Sequence, residues 1–214
     1  MKDSNFIDED NKIYVAGDKA VGKTTLVSRL CGEKFKQIKE NTIPGITSRS
    51  DDRHEDYKIT YLDISDLDNN YKYIKVIGSE MDEVKAVFII FSYDNFQSYE
   101  KAKVIYDYIL DNTGNCSFPI IIVGNKTDLL EESKEEEKSI ESISSKDKNK
   151  FDMSYFTNSK QNNYINFKVS MKNDDDVTEI EKFIKFNVEF DKQKKRKREL
   201  SIKKAKEERS CMIL

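Results

Sequence analysis

The stretch GDKAVGKT at residues 17–24 decides how this chain folds. It follows a short apolar run, IYVA at 13–16, and precedes a helical apolar pattern at 26–30. A strand that ends in a glycine-rich turn before a helix lets backbone N–H groups face a phosphate, and the helix adds the positive end of its dipole. A turn without a ligand has no need of the Lys23–Thr24 pair. We therefore predict a phosphate-binding loop, in which the lysine reaches the β- and γ-phosphates and the threonine hydroxyl ligates Mg²⁺.

A second motif, GNKTD at residues 124–128, indicates the base. It follows the apolar run IIIV at 120–123, so it lies at the carboxyl end of a strand, where ligands bind in open parallel sheets. Asp128 can accept hydrogen bonds from the ring N–H and the exocyclic amine of guanine together, a pair that adenine does not offer. The stem of Lys126 can lie along the purine face. Because polar sites of this kind discriminate by about 10⁴–10⁵, the sequence predicts GTP and GDP as ligands, with Mg²⁺.

Together these motifs resemble the Ras superfamily of small GTPases, and the resemblance covers nearly all of residues 12–190. It implies an α/β fold, a three-layer P-loop nucleotide-binding G domain with a mostly parallel six-stranded sheet and helices on both faces. It also implies that Phe35 packs edge-on against the base and that Thr42 of switch I closes on Mg²⁺ and the γ-phosphate. The VSMK segment at 169–172 is similar to the family's loop that supports the guanine ring through backbone contacts.

The predicted site residues come from these loops and from the two switches. The resemblance implies three catalytic residues, Lys23, Thr42 and Asn70, and three metal ligands, Thr24, Thr42 and Asp66. The predicted nucleotide-binding residues are Gly17, Asp18, Lys19, Ala20, Val21, Gly22, Lys23, Thr24, Thr25, Phe35, Asn125, Lys126, Asp128, Ser170, Met171 and Lys172.

Switch II departs from the family pattern D-x-x-G-Q, in which the glutamine orients the attacking water. Residues 62–71 read LDISDLDNNY and contain neither glycine nor glutamine. We prefer Asp66 as the motif aspartate, because this choice leaves no gap before the next strand and puts Asn69 and Asn70 in the glycine and glutamine positions. Asp63 is the alternative.

The phosphate loop also departs from the family, because Lys19 lies where a glycine or another small residue is common. A long side chain there would project toward the γ-phosphate and into the space of an incoming arginine finger; the alternative is that it extends to solvent. The resemblance implies a molecular switch in signalling or vesicle traffic, and the departures in switch II and the phosphate loop predict slow GTP hydrolysis. The alternative is a GTP-binding interaction module with essentially no hydrolysis. An ATP-using kinase would not need Asn125 and Asp128.

Length and composition predict one domain with appended segments. The 214 residues divide into a flexible N-terminus at 1–11, a G domain at 12–190 with a charged insertion at 131–150, and a tail at 191–214. The three cysteines form no C-x-x-C pattern, which indicates a reducing, intracellular setting. No apolar signal segment opens the chain.

The tail differs in charge from the rest of the chain. Residues 191–214 carry ten Lys/Arg and four acids, a net +6, so the remainder carries −9 and is unsuited to nucleic acid. The last four residues, CMIL, fit C-a-a-X with prenylation of Cys211, and the final leucine favours geranylgeranyl. A basic run alone could be a nuclear localisation signal or a solvated helix end. Both signals together predict a lipid anchor on an anionic, cytoplasmic membrane face, with a possible cytosolic pool.

The resemblance also implies protein partners: effectors, exchange factors and GTPase-activating proteins. The branch within the superfamily stays open between Rho, Ras and Rab. The phosphate loop and the insertion lean towards Rho, while a single C-a-a-X cysteine differs from the usual double-cysteine ending of Rab proteins.

Overall fold

A computed structural model describes most of the chain. It covers residues 11–36, 45–54, 57–65, 72–79, 81, 83–114, 118–130, 151–157 and 164–211. Several predicted features lie outside the described residues, namely Thr42, Asp66, Asn69, Asn70 and the insertion at 131–150.

Over the described residues, six strands form one sheet, five helices with complete bounds accompany it, and residues 127–130 are also helical. The strands are β1 (Asn11–Gly17), β2 (Gly45–Asp51), β3 (Ile59–Ser65), β4 (Val84–Ser92), β5 (Ile120–Asn125) and β6 (Tyr164–Lys168). The helices are α1 (Lys23–Leu30), α2 (Lys72–Ser79), α3 (Phe96–Thr113), α4 (Ser154–Thr157) and α5 (Asp174–Cys211).

The strand order is β2-β3-β1-β4-β5-β6, and only β2 runs antiparallel to its neighbour. The chain leaves β1 with β3 on one side and β4 on the other, so the direction of winding changes at β1. In open α/β sheets the crevice outside the carboxyl ends of the strands at such a switch point binds ligands. The topology therefore puts the loop at 17–24 at the place where a ligand is expected.

The core explains the apolar runs in the sequence. All nine residues of β4 are buried, which a central parallel strand covered on both faces requires. Its partner β5 is buried along all six residues. An aromatic cluster adds to this core, with Phe91 contacting Tyr93, Tyr99 and Phe151 at ring-centroid distances of 5.2, 5.3 and 5.7 Å.

Local capping sets the helix ends. The Asn95 side chain accepts hydrogen bonds from the backbone N–H groups of Gln97 and Ser98, which fixes the start of α3. Helix α1 has no side-chain cap, and its N-cap residue is Gly22 in the left-handed region. A helix N-terminus of this kind, without a side-chain cap, is where proteins commonly bind anions.

The chain divides into two compact units, Met1–Thr178 and Glu179–Leu214. The first contains the sheet. The second is the helical continuation of α5, which runs without interruption past residue 191, where the sequence analysis begins the tail. The domain boundaries proposed from the sequence remain predictions.

The fold class is confirmed as an α/β G domain with a mostly parallel six-stranded sheet. Among the described residues, no helix has both the length and the apolar character needed to cross a bilayer.

Candidate nucleotide-binding site

Two glycines give the loop after β1 its shape. Gly17 has φ +147°, and a Cβ there would lie 2.2 Å from the backbone oxygen of Ile90. Gly22 has φ +105°, and a Cβ there would lie 2.3 Å from Nδ2 of Asn125. A side chain at either position would therefore clash with the neighbouring strand or with the base motif, which is why both must be glycine.

Lys23 begins α1 and turns back over the loop. It is 6% exposed, and its Nζ donates a hydrogen bond of 2.7 Å to the backbone oxygen of Asp18. A lysine held across the loop in this way places a positive charge beside the N–H groups of the turn. This arrangement suits a phosphate group.

Asp18 orders the loop through a contact that the sequence does not indicate. Its Oδ1 accepts hydrogen bonds of 2.8 Å from the backbone N–H of Lys19 and from the Nζ of Lys101 on α3. The side chain of Lys19 is exposed. Both alternatives for the Lys19 side chain remain predictions, and Lys101 is a cation near the loop that sequence reasoning missed.

The Thr24 hydroxyl contacts Asp63, the alternative switch II aspartate of the sequence analysis. Thr24 Oγ1 donates a hydrogen bond of 2.5 Å to Oδ2 of Asp63, which lies near the carboxyl end of β3 opposite Val15 of β1. Asp66, the preferred choice, lies outside the described residues. The geometry favours the alternative alignment of switch II, because β3 carries Asp63 to the mouth of the phosphate loop.

Asp63 is a buried carboxyl group with an open coordination position. It is 5% exposed, and its Oδ1 has no hydrogen-bond partner among the described residues. Burial raises the pKa of Asp63 above its usual range, against the opposing effects of the Thr24 hydrogen bond and the charge of Lys23. A buried, unpaired oxygen beside a threonine hydroxyl fits a bound cation, since a cation would relieve the desolvation of the carboxylate.

Asn125 joins three loops of the site. Its Nδ2 donates a hydrogen bond of 2.8 Å to the backbone oxygen of Val21 in the phosphate loop. Its Oδ1 accepts one of 3.2 Å from the backbone N–H of Met171. Because Asn125 is 4% exposed, both bonds are buried, and losing them would leave unsatisfied polar groups. Asn125 therefore positions the loops, a role that is distinct from direct contact with a base.

Asp128 is held by two donors from the loop after β6. Its Oδ1 accepts a hydrogen bond of 2.8 Å from the Ser170 hydroxyl, and its Oδ2 lies 2.5 Å from Nζ of Lys172. Burial alone would raise the pKa of Asp128, but the hydrogen bonds from Lys172 and Ser170 outweigh it and hold the pKa below its usual range. Asp128 is therefore a fixed, ionised acceptor, as recognition of two N–H donors requires.

These residues line a cavity beside the base motif. The cavity has a volume of about 550 Å³ and is lined by Asp128, Ser170 and Lys172 among others. Lys126 adopts the left-handed region at φ +64°, and its Nζ pairs with Oδ2 of Asp94 at 2.9 Å. This pair fixes the stem of Lys126, and sequence reasoning missed Asp94 because it follows a different strand.

The predicted site residues fall into two groups. The phosphate loop, Asn125, Asp128 and the 169–172 segment belong to one hydrogen-bonded set of loops, through the contacts above. Phe35, on the segment after α1, is exposed over 37% of its surface. Its predicted contact with the base stays a prediction, as do the roles of Thr42, Asp66 and Asn70, which lie outside the described residues.

The residues present fit a magnesium-bound nucleoside phosphate. The glycine turn and Lys23 suit the phosphates, Thr24 and Asp63 suit a hard oxygen-ligated cation, and Asp128 suits a base with two donors. Within the described ranges, no group of three or more His, Cys, Asp or Glu side chains gathers elsewhere as a metal site.

Comparisons with known proteins agree with this geometry. A profile of the Ras family matches residues 12–185. The chain is 32% identical over 127 residues to "GTP-binding protein Rheb homolog 1" of Caenorhabditis elegans, covering 59% of this chain and 60% of that protein. It is 29% identical over 128 residues to "Probable mitochondrial Rho GTPase gemA" of Dictyostelium discoideum, covering 59% of this chain but only 19% of that protein. It is also 29% identical over 126 residues to "GTP-binding protein YPT53" of Saccharomyces cerevisiae, covering 59% of this chain and 56% of that protein.

A solved structure shows the same fold. The Roco2 RocCORdC protein of Methanosarcina barkeri, solved bound to GDP, superposes with a TM-score of 0.51 at 19% identity, covering 83% of this chain and 48% of that one. At this identity the likeness shows the fold alone. Because the family profile spans residues 12–185 of a chain of 214, the protein belongs to the Ras family of small GTPases, a family of switch proteins.

Proposed function

We propose that this protein binds GTP and GDP with Mg²⁺ and acts as a molecular switch on a cytoplasmic membrane face, with slow GTP hydrolysis. The observation that carries the nucleotide part is Asn125, which ties the phosphate loop at Val21 to the loop that holds Asp128. Phosphate recognition and base recognition are therefore joined by two buried hydrogen bonds. The family implies effectors, exchange factors and GTPase-activating proteins as partners.

A nucleotide displacement assay tests the choice of base. GTP and GDP should displace a fluorescent guanine nucleotide, and ATP should fail at the same concentrations, because adenine leaves the Asp128 carboxylate without its two donors. A site of this kind discriminates by about 10⁴–10⁵. Equal competition by ATP would overturn the assignment.

Each end of the site has a defined chemical task. Lys23 and the N-terminus of α1 would hold the phosphates, and Thr24 with Asp63 would hold Mg²⁺, which when bound supplies positive charge for the phosphate oxygens. We therefore assign Asp63 as the switch II aspartate. This alignment puts Asp66 and Leu67 in the glycine and glutamine positions.

Replacing Asp63 with Asn tests that assignment. We expect the Mg²⁺-dependent part of nucleotide affinity to fall about 10–100-fold, by analogy with the loss of groups that orient metal ligands. In EDTA and without nucleotide, Asp63→Asn should raise the thermal unfolding midpoint, because burial raises the pKa of Asp63. A raised pKa means that the folded state prefers the protonated carboxyl group, so its contribution to stability is lost as the pH rises through that pKa.

Asp51 on β2 is the matched control, since it is also a buried aspartate, with a side chain 2% exposed. Burial alone would raise its pKa, but hydrogen bonds from Arg53 hold the pKa of Asp51 below its usual range. Its contribution to stability is therefore present at neutral pH and lost as the pH falls. Asp51→Asn should lower the unfolding midpoint without changing Mg²⁺ dependence. If the nucleotide affinity of the Asp63→Asn variant depended on Mg²⁺ as in the wild type, Asp63 would not be a metal ligand.

Slow hydrolysis follows from the residues of switch II. The family glutamine is absent from either alignment, since Leu67 or Asn70 takes its position. The second candidate function, a GTP-binding interaction module with essentially no hydrolysis, rests on the same observation. A partner that supplies the missing group would favour the first function over the second.

The membrane part of the proposal rests on two signals in the second unit. Cys211 opens a C-a-a-X ending, and residues 192–203 contain seven Lys/Arg against one Glu. A single lipid chain gives only reversible binding, while each basic residue near an anionic surface adds about 1 kcal/mol. The two signals together suffice for stable attachment. The relatives include Rheb, Rho and Ypt proteins, so the branch, and with it the choice of membrane, stays open.

Cys211→Ser tests the lipid anchor. In cells that prenylate proteins, the variant should move from the membrane fraction to the cytosol while its GTP affinity stays unchanged, because Cys211 lies outside the nucleotide site. Neutralising the basic run should weaken or redirect membrane binding, also without affecting GTP. Retention of Cys211→Ser on membranes at the wild-type level would refute the anchor.

A further inference from the structure

Two phenylalanines on α5 form an exposed aromatic pair. Phe186 is 66% exposed and Phe190 is 54% exposed. They stand one helical turn apart, with ring centroids 6.2 Å apart and ring planes at 18°. Adjacent large apolar side chains on a protein surface indicate a site that contacts a membrane or another molecule.

Basic residues lie before and after this pair on the same face of the helix. Lys182 lies four residues before Phe186, and Lys194 lies four residues after Phe190, so all four share one face of the helix. Both lysines are exposed. Leu200, 61% exposed, returns to the same face two heptads after Phe186.

The segment that follows the pair carries the charge that favours an anionic surface over an apolar protein groove. Residues 192–203 carry seven Lys/Arg and one Glu, whereas residues 179–191 carry two lysines and four acids, of which Glu189 and Asp191 adjoin the rings in sequence. Lysines on either side of an apolar pair can extend their charged ends to headgroups while their stems follow the apolar side chains inward. A helix with aromatic residues on one face and lysines beside them is typical of segments that lie in a membrane interface.

We propose that this face of α5 lies on an anionic lipid surface, with Phe186 and Phe190 inserted between the acyl chains and the flanking lysines at the headgroups. The inference rests on the membrane location proposed above and adds a third attachment, independent of Cys211. It also gives the helix a defined side that faces the lipid. A basic run alone would hold the helix by charge in any rotation about its axis.

The chain contains no tryptophan, so Phe190→Trp introduces a single reporter into the full chain. The variant is made together with Cys211→Ser, which removes the prenyl chain. With vesicles of phosphatidylcholine and phosphatidylserine, its emission should shift to shorter wavelength and be quenched by brominated acyl chains. Phosphatidylcholine alone should give little change. Val104→Trp is the matched control, because Val104 is 49% exposed on α3, and its emission should not shift.

The loss-of-function variant is Phe186→Ser with Phe190→Ser in the same Cys211→Ser background. Burying two aromatic rings is expected to strengthen vesicle binding about 10–100-fold, so the variant should lose that factor. Val104→Ser should lose none. Circular dichroism and GTP binding on the same preparations check that the helix and the nucleotide site are intact.

Two outcomes would overturn the inference. Emission of the Phe190→Trp variant that stays at long wavelength on bound vesicles would show that charge alone holds the helix. Loss of self-association in the double variant, with vesicle binding retained, would assign the face to a second copy of the chain. Neither result touches the proposed function, since GTP binding is measured separately and the lipid anchor is tested by comparing the prenylated chain with Cys211→Ser.

Discussion

Asp128→Asn should lower the affinity for GTP by a factor on the order of 10⁴. Asp128 is the acceptor for both guanine donors, and the structure holds it ready for them with hydrogen bonds from Ser170 at 2.8 Å and Lys172 at 2.5 Å. An asparagine presents an amide N–H where the exocyclic amine of guanine also donates, so one hydrogen bond becomes a repulsive contact. A buried donor left without an acceptor adds a desolvation penalty.

The same substitution should improve the binding of xanthine nucleotides. Xanthine presents a carbonyl oxygen where guanine has its exocyclic amine, and this oxygen can accept from the asparagine amide. The measurement is displacement of a fluorescent nucleotide by GTP and by XTP, for the wild type and the variant. Asp107→Asn, on the exposed surface of α3, is the control and should leave both affinities unchanged. Equal loss of GTP and XTP affinity in Asp128→Asn would mean that the substitution had disrupted the structure of the loop at 124–128 instead of changing its base preference.

The fold and most of the candidate site could be predicted from short-range patterns. Glycine is required at 17 and 22 because an added Cβ would lie 2.2 Å from the Ile90 backbone oxygen and 2.3 Å from the Asn125 side chain, respectively. The runs at 120–123 and 86–91 are buried strands because continuous apolar sequence is what a parallel sheet covered on both faces needs. These features depend on residues that are close in sequence or on composition alone.

Asp63 illustrates where the sequence argument is weakest. The preference for Asp66 rests on counting residues to the next strand, and that count assumes a fixed length for the switch. The structure instead extends β3 to Ser65, and Ile59, Tyr61 and Asp63 are buried in alternation. The alternating pattern is present in the sequence and puts Asp63 on the same face of β3 as Ile59 and Tyr61. The contact of Asp63 with Thr24 depends in addition on the register of β3 against β1.

The contacts from α3 and from the loop after β4 had no signal in the sequence at all. Lys101 reaches Asp18 across 83 positions of the chain, and Asp94 reaches Lys126 across 32. Neither residue belongs to a recognisable motif. Such ion pairs depend on how a helix packs on its sheet, which side-chain types alone do not determine. Both pairs are partly exposed, so each is expected to stabilise the loops by no more than about 1 kcal/mol.

Single-turnover GTP hydrolysis should be slow, and stimulation by GTPase-activating proteins should be weak. The family glutamine that orients the attacking water is missing in either alignment, and Lys19 replaces a small residue in the phosphate loop. Loss of water positioning and of access for an arginine finger withholds a factor on the order of 10³–10⁵ from stimulated turnover. We expect the missing glutamine to account for most of the intrinsic deficit, because it is the residue that orients the attacking water, whereas Lys19 lies where an arginine finger would enter.

Restoring the family residues separates the two alignments and tests the cause at the same time. With Asp63 as the switch II aspartate, the double substitution Asp66→Gly and Leu67→Gln should raise the single-turnover rate. Asn69→Gly with Asn70→Gln is the matched control and should not, because in this alignment it lies three residues too far along the chain. If only the Asn69→Gly, Asn70→Gln variant hydrolysed GTP faster, Asp66 and not Asp63 would be the switch II aspartate. If the unmodified protein already hydrolysed GTP as fast as an ordinary Ras-like domain, another group would have to position the attacking water. Lys19 and Lys101 would then be the first two residues to replace.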